Sequence, residues 1–166
     1  MDTPAPILQW YVAHTRPRSE KRVAEFCGDR EYIHFLPLQA SVKNYPGKKL
    51  IFHKPLFSGY VFLQLFPDQA YEARQCRHVA RLLEPGDQAE FAAQIEDIRI
   101  ALQSEREVRL APNIIEGSTV QIRSGPMRGL EGQVLRRQGI TEVVLRLDFI
   151  GQAAAVQVEA HELELV

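Results

Sequence analysis

Two kinds of side chain could do chemistry here: groups that react or hold metal, and groups that grip a partner. The first kind follows no pattern. The five histidines, at 14, 34, 53, 78 and 161, lack metal-ligand spacing, and His161-Glu162 lacks the second histidine of a zincin. Cys27 and Cys76 form no C-x-x-C pair, and nothing in the spacing suggests a catalytic cysteine–histidine pair. A disulfide framework and a zinc site are therefore not expected, and a reducing compartment fits. No P-loop or dinucleotide fingerprint occurs. Gly125, Gly129 and Gly132 punctuate strand-forming residues, where glycine serves turn geometry rather than phosphate binding. Glu96-Asp97 sits on a helix that reads as solvated. The expectation is a protein without catalytic residues, cofactor or metal.

The gripping groups are better organised. Arg16, Arg18, Lys21 and Arg22 crowd the start of a helix that Pro17 opens. Cations there oppose the helix dipole, and a phosphate backbone would give them a purpose; a solvated helix end is the bland alternative. Lys48 and Lys49 follow Asn44-Tyr45-Pro46-Gly47, a turn signal with a basic tip. Tyr60 and Phe62 lie in the most apolar run of the chain, Lys54 to Leu65. Strand alternation gives them one face and Val61 and Leu63 the other. Aromatics in such a strand are ordinarily core; here they are also candidates for an interface.

These groups need elements to position them. Leu8 to His14 predicts a strand with Trp10, Val12 and His14 on one face. A helix follows, with Val23, Phe26 and Cys27 on its apolar side, then a strand at Tyr32 to Leu38 and a hairpin over Val42 to Ile51. The Lys54–Leu65 run predicts a central strand, apolar on both faces, with Gly59 as a bulge. A short helix runs from Pro67 to about Cys76 and a strand from Val79 to Leu83. Phe91, Ile95, Ile98 and Leu102 then give a helical stripe. This order suits an α+β domain, with helices covering a small antiparallel sheet. Residues 105–115, ending in Pro112-Asn113, read as a linker. Beyond them the period becomes two. Val120 and Ile122, Val134, Val143 to Leu147, and Val156 and Val158 mark short strands between glycine turns, suggesting a small barrel.

Net charge is −1 over 166 residues, but unevenly spread. Residues 1–83 carry 12 basic and 7 acidic side chains, while residues 84–107 carry 2 and 7. A locally basic first half allows nucleic-acid contact without the overall basicity of a dedicated binder. No run is long enough to cross a bilayer, and Met1 to Pro6 shows no secretory pattern, so a cytoplasmic protein is expected.

Two motifs then meet in one chain. Trp10-Tyr11-Val12 and Pro55-Leu56-Phe57-Ser58-Gly59-Tyr60-Val61-Phe62 resemble the N-terminal domain of the NusG family of transcription elongation factors. Glu116-Gly117 through Val120, Ile122, Gly125-Pro126, Gly129 and Gly132-Gln133-Val134 resemble the KOW motif of its C-terminal domain. Asp148-Phe149-Ile150-Gly151 and Val156-Gln157-Val158 are similar to that domain's end. The resemblance implies an N-terminal domain over 7–104, a linker over 105–115 and an SH3-like all-β KOW barrel over 116–166. It implies a binding factor that docks an aromatic pocket on the clamp helices of the largest RNA polymerase subunit. Trp10, His14, Tyr60, Phe62 and Leu82 match that pocket. The basic helix start and the Lys48–Lys49 tip become candidates for upstream or non-template DNA. Met127, Leu130, Phe149 and Ile150 match the KOW surface that meets Rho or a small-subunit ribosomal protein. Met127 and Leu130 replace the family's usual phenylalanines, and Gln152 replaces a common arginine. A specialised paralogue, similar in role to RfaH, is the favoured reading, acting as a monomer. The alternatives are a ribosome-associated or RNA-binding KOW protein, which a strongly basic chain would have favoured, and a scaffold of two interaction domains.

Overall fold

The computed structural model describes residues 5–111 and 117–166. The chain divides into two compact units, Met1–Gln88 and Ala89–Val166.

The first unit is built on a four-stranded antiparallel sheet of β1 (Gln9–Thr15), β2 (Ile33–Phe35), β5 (Tyr60–Leu65) and β6 (Val79–Leu83). Its order is β2-β5-β1-β6, so β5 is an inner strand as its two-sided apolar pattern requires. Helices α1 (Glu20–Asp29) and α2 (Pro67–Arg74) supply one layer. The core under them gathers Tyr11, Ala13, Val61, Leu63 and Leu65 from the sheet with Val23, Cys27, Ala70, Ala73 and Cys76. Burial pushes the Cys27 thiol up to about 12, with Cys76 adding to the effect, so it stays protonated as a packing group. Strands β3 (Leu38–Tyr45) and β4 (Lys48–Pro55) pair only with each other among the described residues, as a separate two-stranded arm.

Three local expectations need correction. The central strand begins at Tyr60 rather than Lys54, because Lys54 and Pro55 end β4. Gly59 is therefore in the turn before the strand (φ 87°), not a bulge within it. Helix α1 begins at Glu20, not at Pro17. Arg18 is left-handed (φ 57°) and the Arg16 backbone amide donates to the His78 carbonyl at 2.9 Å, so these residues form a turn anchored to the start of β6. Glu20, an acid, heads the helix and suits its dipole; of the four cations, only Lys21 and Arg22 lie within the helix.

The second unit holds α3 (Gln88–Gln103, all but its first residue), which buries Phe91, Ile95, Ile98 and Ala101. A six-stranded antiparallel sheet follows, in the order β12-β8-β9-β10-β11-β7. Its strands are β7 (Val108–Ala111), β8 (Thr119–Ile122), β9 (Glu131–Arg137), β10 (Ile140–Leu147), β11 (Gln152–Val158) and β12 (Leu163–Leu165). Val143, Val144, Leu145, Leu147 and residues Ala153 to Val156 are buried, so β10 and β11 supply much of this unit's core. Gly132 permits the close crossing of β9 and β10, since a Cβ there would stand 2.2 Å from the Val144 carbonyl oxygen.

Strand β7 lies inside the segment read as a linker. Val108 and Ala111 are buried, and Arg109 gives both Nε and Nη2 to the buried carboxylate of Glu142 at 2.9 Å. Arg137 approaches the same carboxylate at 3.4 Å. A segment without sustained period is thus paired with β11 along its backbone and tied to β10 by a charge pair far apart in sequence. The rest of the linker reading, 112–115, lies outside the described residues. A further helix-to-sheet clasp occurs in this unit. The Gln94 amide donates to Asp148 Oδ2 at 2.9 Å and accepts the Asp148 backbone amide at 3.0 Å, while Phe91 and Phe149 meet edge to face.

Candidate binding surfaces

Strand register sorts the sequence-derived candidates by face. Opposed pairs on β1 and β5 are His14–Tyr60, Val12–Phe62 and Trp10–Gln64; Phe62 is also opposite Phe35 on β2. Cross-strand neighbours share a face, so Trp10, His14, Tyr60, Phe62 and Phe35 lie on the side away from α1 and α2. Their exposure differs. His14 is exposed, Trp10, Phe35 and Tyr60 are half-buried, and Phe62 is fully buried.

His14 and Tyr60 form the accessible part of this face. Their rings stack with centroids 5.2 Å apart and planes 24° from parallel. The turn beneath them holds the pair in place. Gly59 accepts the Thr15 amide at 2.8 Å and gives its own amide to the buried Glu20 carboxylate at 3.3 Å. A Cβ on Gly59 would stand 3.7 Å from the His14 ring, which is ordinary contact, so the glycine is required by its positive φ rather than by crowding. Phe62 sits lower, packed edge-on to Phe57 at 6.2 Å and against Phe35 at 6.4 Å. It is the floor of the face, not an exposed pocket aromatic as expected. At the far end, the Gln88 side chain accepts the Trp10 amide at 2.7 Å and donates to the Trp10 carbonyl at 3.0 Å, fixing that part of β1.

Leu82 is on the other side. It is opposite Ala13, whose side chain belongs to the helix-covered core, and it packs against that core itself. The same pairing puts Arg81 opposite His14 and Leu83 opposite Val12, so these flank the aromatic face instead. Sequence reasoning placed the strand correctly but assigned its parity wrongly.

The cations are dispersed around this unit. Arg16 donates its Nε to the Arg77 carbonyl at 3.0 Å, and Lys21 its ammonium to the His53 carbonyl at 2.7 Å. Both retain further donors. Arg18 and Arg22 are exposed near α1, and Lys48 and Lys49 are exposed just past the arm's turn. The Lys21–His53 bond brings the helix start to the base of the arm, joining two basic groups that sequence reasoning had treated separately.

In the second unit the four KOW candidates split. Met127 and Leu130 are buried, Met127 completely. The turn folds them in: Gly129 donates its amide to Ile122 and Leu130 accepts the Ile122 amide, closing residues 123–129 over the sheet. They are core residues, and the expected surface reduces to exposed Phe149 and half-buried Ile150. Glu20, Gln88 and Gln94 were not singled out from sequence. A polar residue beside an apolar run was the only signal they offered.

No helix among the described residues is long and apolar enough to cross a membrane. Comparison with curated proteins gives no match. The family described as "Transcription termination factor nusG" matches residues 8–102, which takes in the whole four-stranded sheet, its helices and the arm. That match covers more than half of the 166 residues, and the chain belongs to the NusG family of transcription factors.

Proposed function

We propose that this protein is a transcription elongation factor that binds RNA polymerase through the aromatic face of its first sheet. The observation that carries the reading is the His14–Tyr60 stack. It is an accessible aromatic pair on the sheet face away from α1 and α2, backed by Phe62 and held by the Glu20–Gly59 turn. Aromatic anchors on rigid strands suit a partner that is itself preformed. The clamp helices of the largest polymerase subunit are the proposed partner, with Trp10 at the margin. Arg16, Arg18, Lys21, Arg22, Lys48 and Lys49 face upstream or non-template DNA.

The six-stranded sheet is proposed as an SH3-like KOW domain with an added edge strand, recruiting a second partner at Phe149 and Ile150. A small-subunit ribosomal protein and Rho are the two candidates. The protein works in the cytoplasm as a monomeric binding factor without catalysis or cofactor. Met127 and Leu130, where the housekeeping factor usually carries phenylalanine, favour an operon-specific paralogue.

Retention on immobilised complexes tests the reading. The purified chain should bind core RNA polymerase and polymerase engaged on a nucleic-acid scaffold, whether or not ribosomes also retain it. Retention by ribosomes alone would favour the RNA-binding alternative, and retention by neither would favour a scaffold.

A further inference from the structure

The β3–β4 arm carries more apolar surface than a solvated hairpin needs. Val42, Tyr45, Leu50, Ile51 and Phe52 are all between 42% and 60% exposed. A two-stranded ribbon is marginal alone in water, and large apolar side chains left on it mark an interaction surface. Its charge selects the partner. Residues 38–55 contain Lys43, Lys48, Lys49 and Lys54 and no aspartate or glutamate. Such an arm suits a polyanion.

Register separates the two faces of the ribbon. Tyr45 is opposite Lys48, Lys43 opposite Leu50, and Ser41 opposite Phe52, so both aromatics share a face with Lys43 and Lys48. The other face, with Val42 opposite Ile51, carries His53 but no phenylalanine, tyrosine or tryptophan. Tyr45 and the row of Phe52 lie four residues apart along β3, roughly 13 Å, or roughly two steps of an extended nucleic-acid strand. The Lys43 ammonium stands 5.4 Å from the Phe52 ring centroid, so a cation accompanies that ring. Flat rings roughly two nucleotide steps apart, with Lys43 between their rows and Lys48 beside Tyr45, make a stacking platform for unpaired bases.

We propose that this face of the arm binds single-stranded nucleic acid, with bases stacked on Tyr45 and Phe52 and phosphates held by Lys43 and Lys48. The inference rests on the reading of the arm's tip as a nucleic-acid contact and extends it from phosphate attraction to base stacking. It does not depend on polymerase docking.

The test uses the full chain, no polymerase, and a fluorescent twelve-nucleotide oligo-dT followed by anisotropy. The single strand should bind at least fivefold tighter than a duplex of equal length. Tyr45→Ala with Phe52→Ala should raise Kd at least tenfold and leave the slope of log Kd against log salt unchanged. Lys43→Gln with Lys48→Gln should instead flatten that slope. A Phe52→Trp variant guards against misfolding of the alanine variant: base stacking should quench the added indole emission, and an abasic strand should not. The proposal is overturned if the alanine pair changes Kd by less than twofold. It is also overturned if abasic and base-bearing strands bind equally, or if anionic phospholipid vesicles bind and displace the oligonucleotide while the indole stays unquenched.

Discussion

Arg109→Met isolates the contact that turns an apparent linker into a strand. Glu142 is 1% exposed, and its carboxylate is held by two Arg109 bonds of 2.9 Å and a longer Arg137 contact of 3.4 Å. Hydrogen bonds to charged groups contribute about 1.5–3 kcal/mol each, but two from one guanidinium are not additive. The Arg109 side chain is 26% exposed and Arg137 remains, so both soften the loss below the ~3–5 kcal/mol of a fully buried broken pair. A destabilisation of about 2–3 kcal/mol is expected. At ~4–8 °C per kcal/mol for a small unit, its melting temperature should fall by roughly 8–24 °C. Calorimetry of the full chain measures this, and hydrogen exchange at Val108–Ala111 should accelerate ahead of β10. Adding Glu142→Gln should restore part of the loss, because no uncompensated carboxylate then stays buried. A melting temperature within about 2 °C of the parent, with β7 protection unchanged, would refute the pinning role.

Other outcomes follow from the same structure. Phe62→Ala should cost about 3–5 kcal/mol of stability, because the ring is fully buried among Phe57 and Phe35; a variant that unfolds at the parent's urea midpoint would contradict its place as floor. Burial pushes the Glu162 carboxyl up, but bonds from the Arg106 guanidinium and the Glu159 amide outweigh this and hold it below the usual carboxylate range. Its contribution is therefore present above that range and lost as pH falls through the depressed value. Glu162→Gln should flatten the acid limb of the stability curve, and an unchanged limb would exclude the linkage. Arg18→Gln with Arg22→Gln should reduce the salt slope of binding to a polymerase elongation complex by about 1–2, and an unaltered slope would return both to the solvated surface.

Much of the first sheet was legible because its strands are long, apolar and punctuated by proline and glycine. The helix stripe Phe91, Ile95, Ile98 was legible for the same reason. What failed were matters of parity, turn closure and charge pairing. Leu82 lies in a five-residue strand with apolar residues on both faces, so only its pairing with Ala13 reveals its face. Met127 and Leu130 lie among glycines, which looked like an exposed turn, yet hydrogen bonds to Ile122 fold them inward. Strand β7 has no periodic signal, and its anchor, Glu142, is a charged residue in a run otherwise read as apolar. The His14–Tyr60 stack was half visible: both residues were named, but their direct opposition depends on the β1–β5 register.

The central claim is that the aromatic sheet face binds RNA polymerase, and the affinity of core polymerase for the chain tests it most directly. His14→Ala and Tyr60→Ala, made singly and together, leave the buried floor intact. Interferometry on immobilised polymerase should show Kd raised at least tenfold by Tyr60→Ala and further by the double variant, with melting temperatures near the parent's. Parental affinity in the folded double variant would contradict the account.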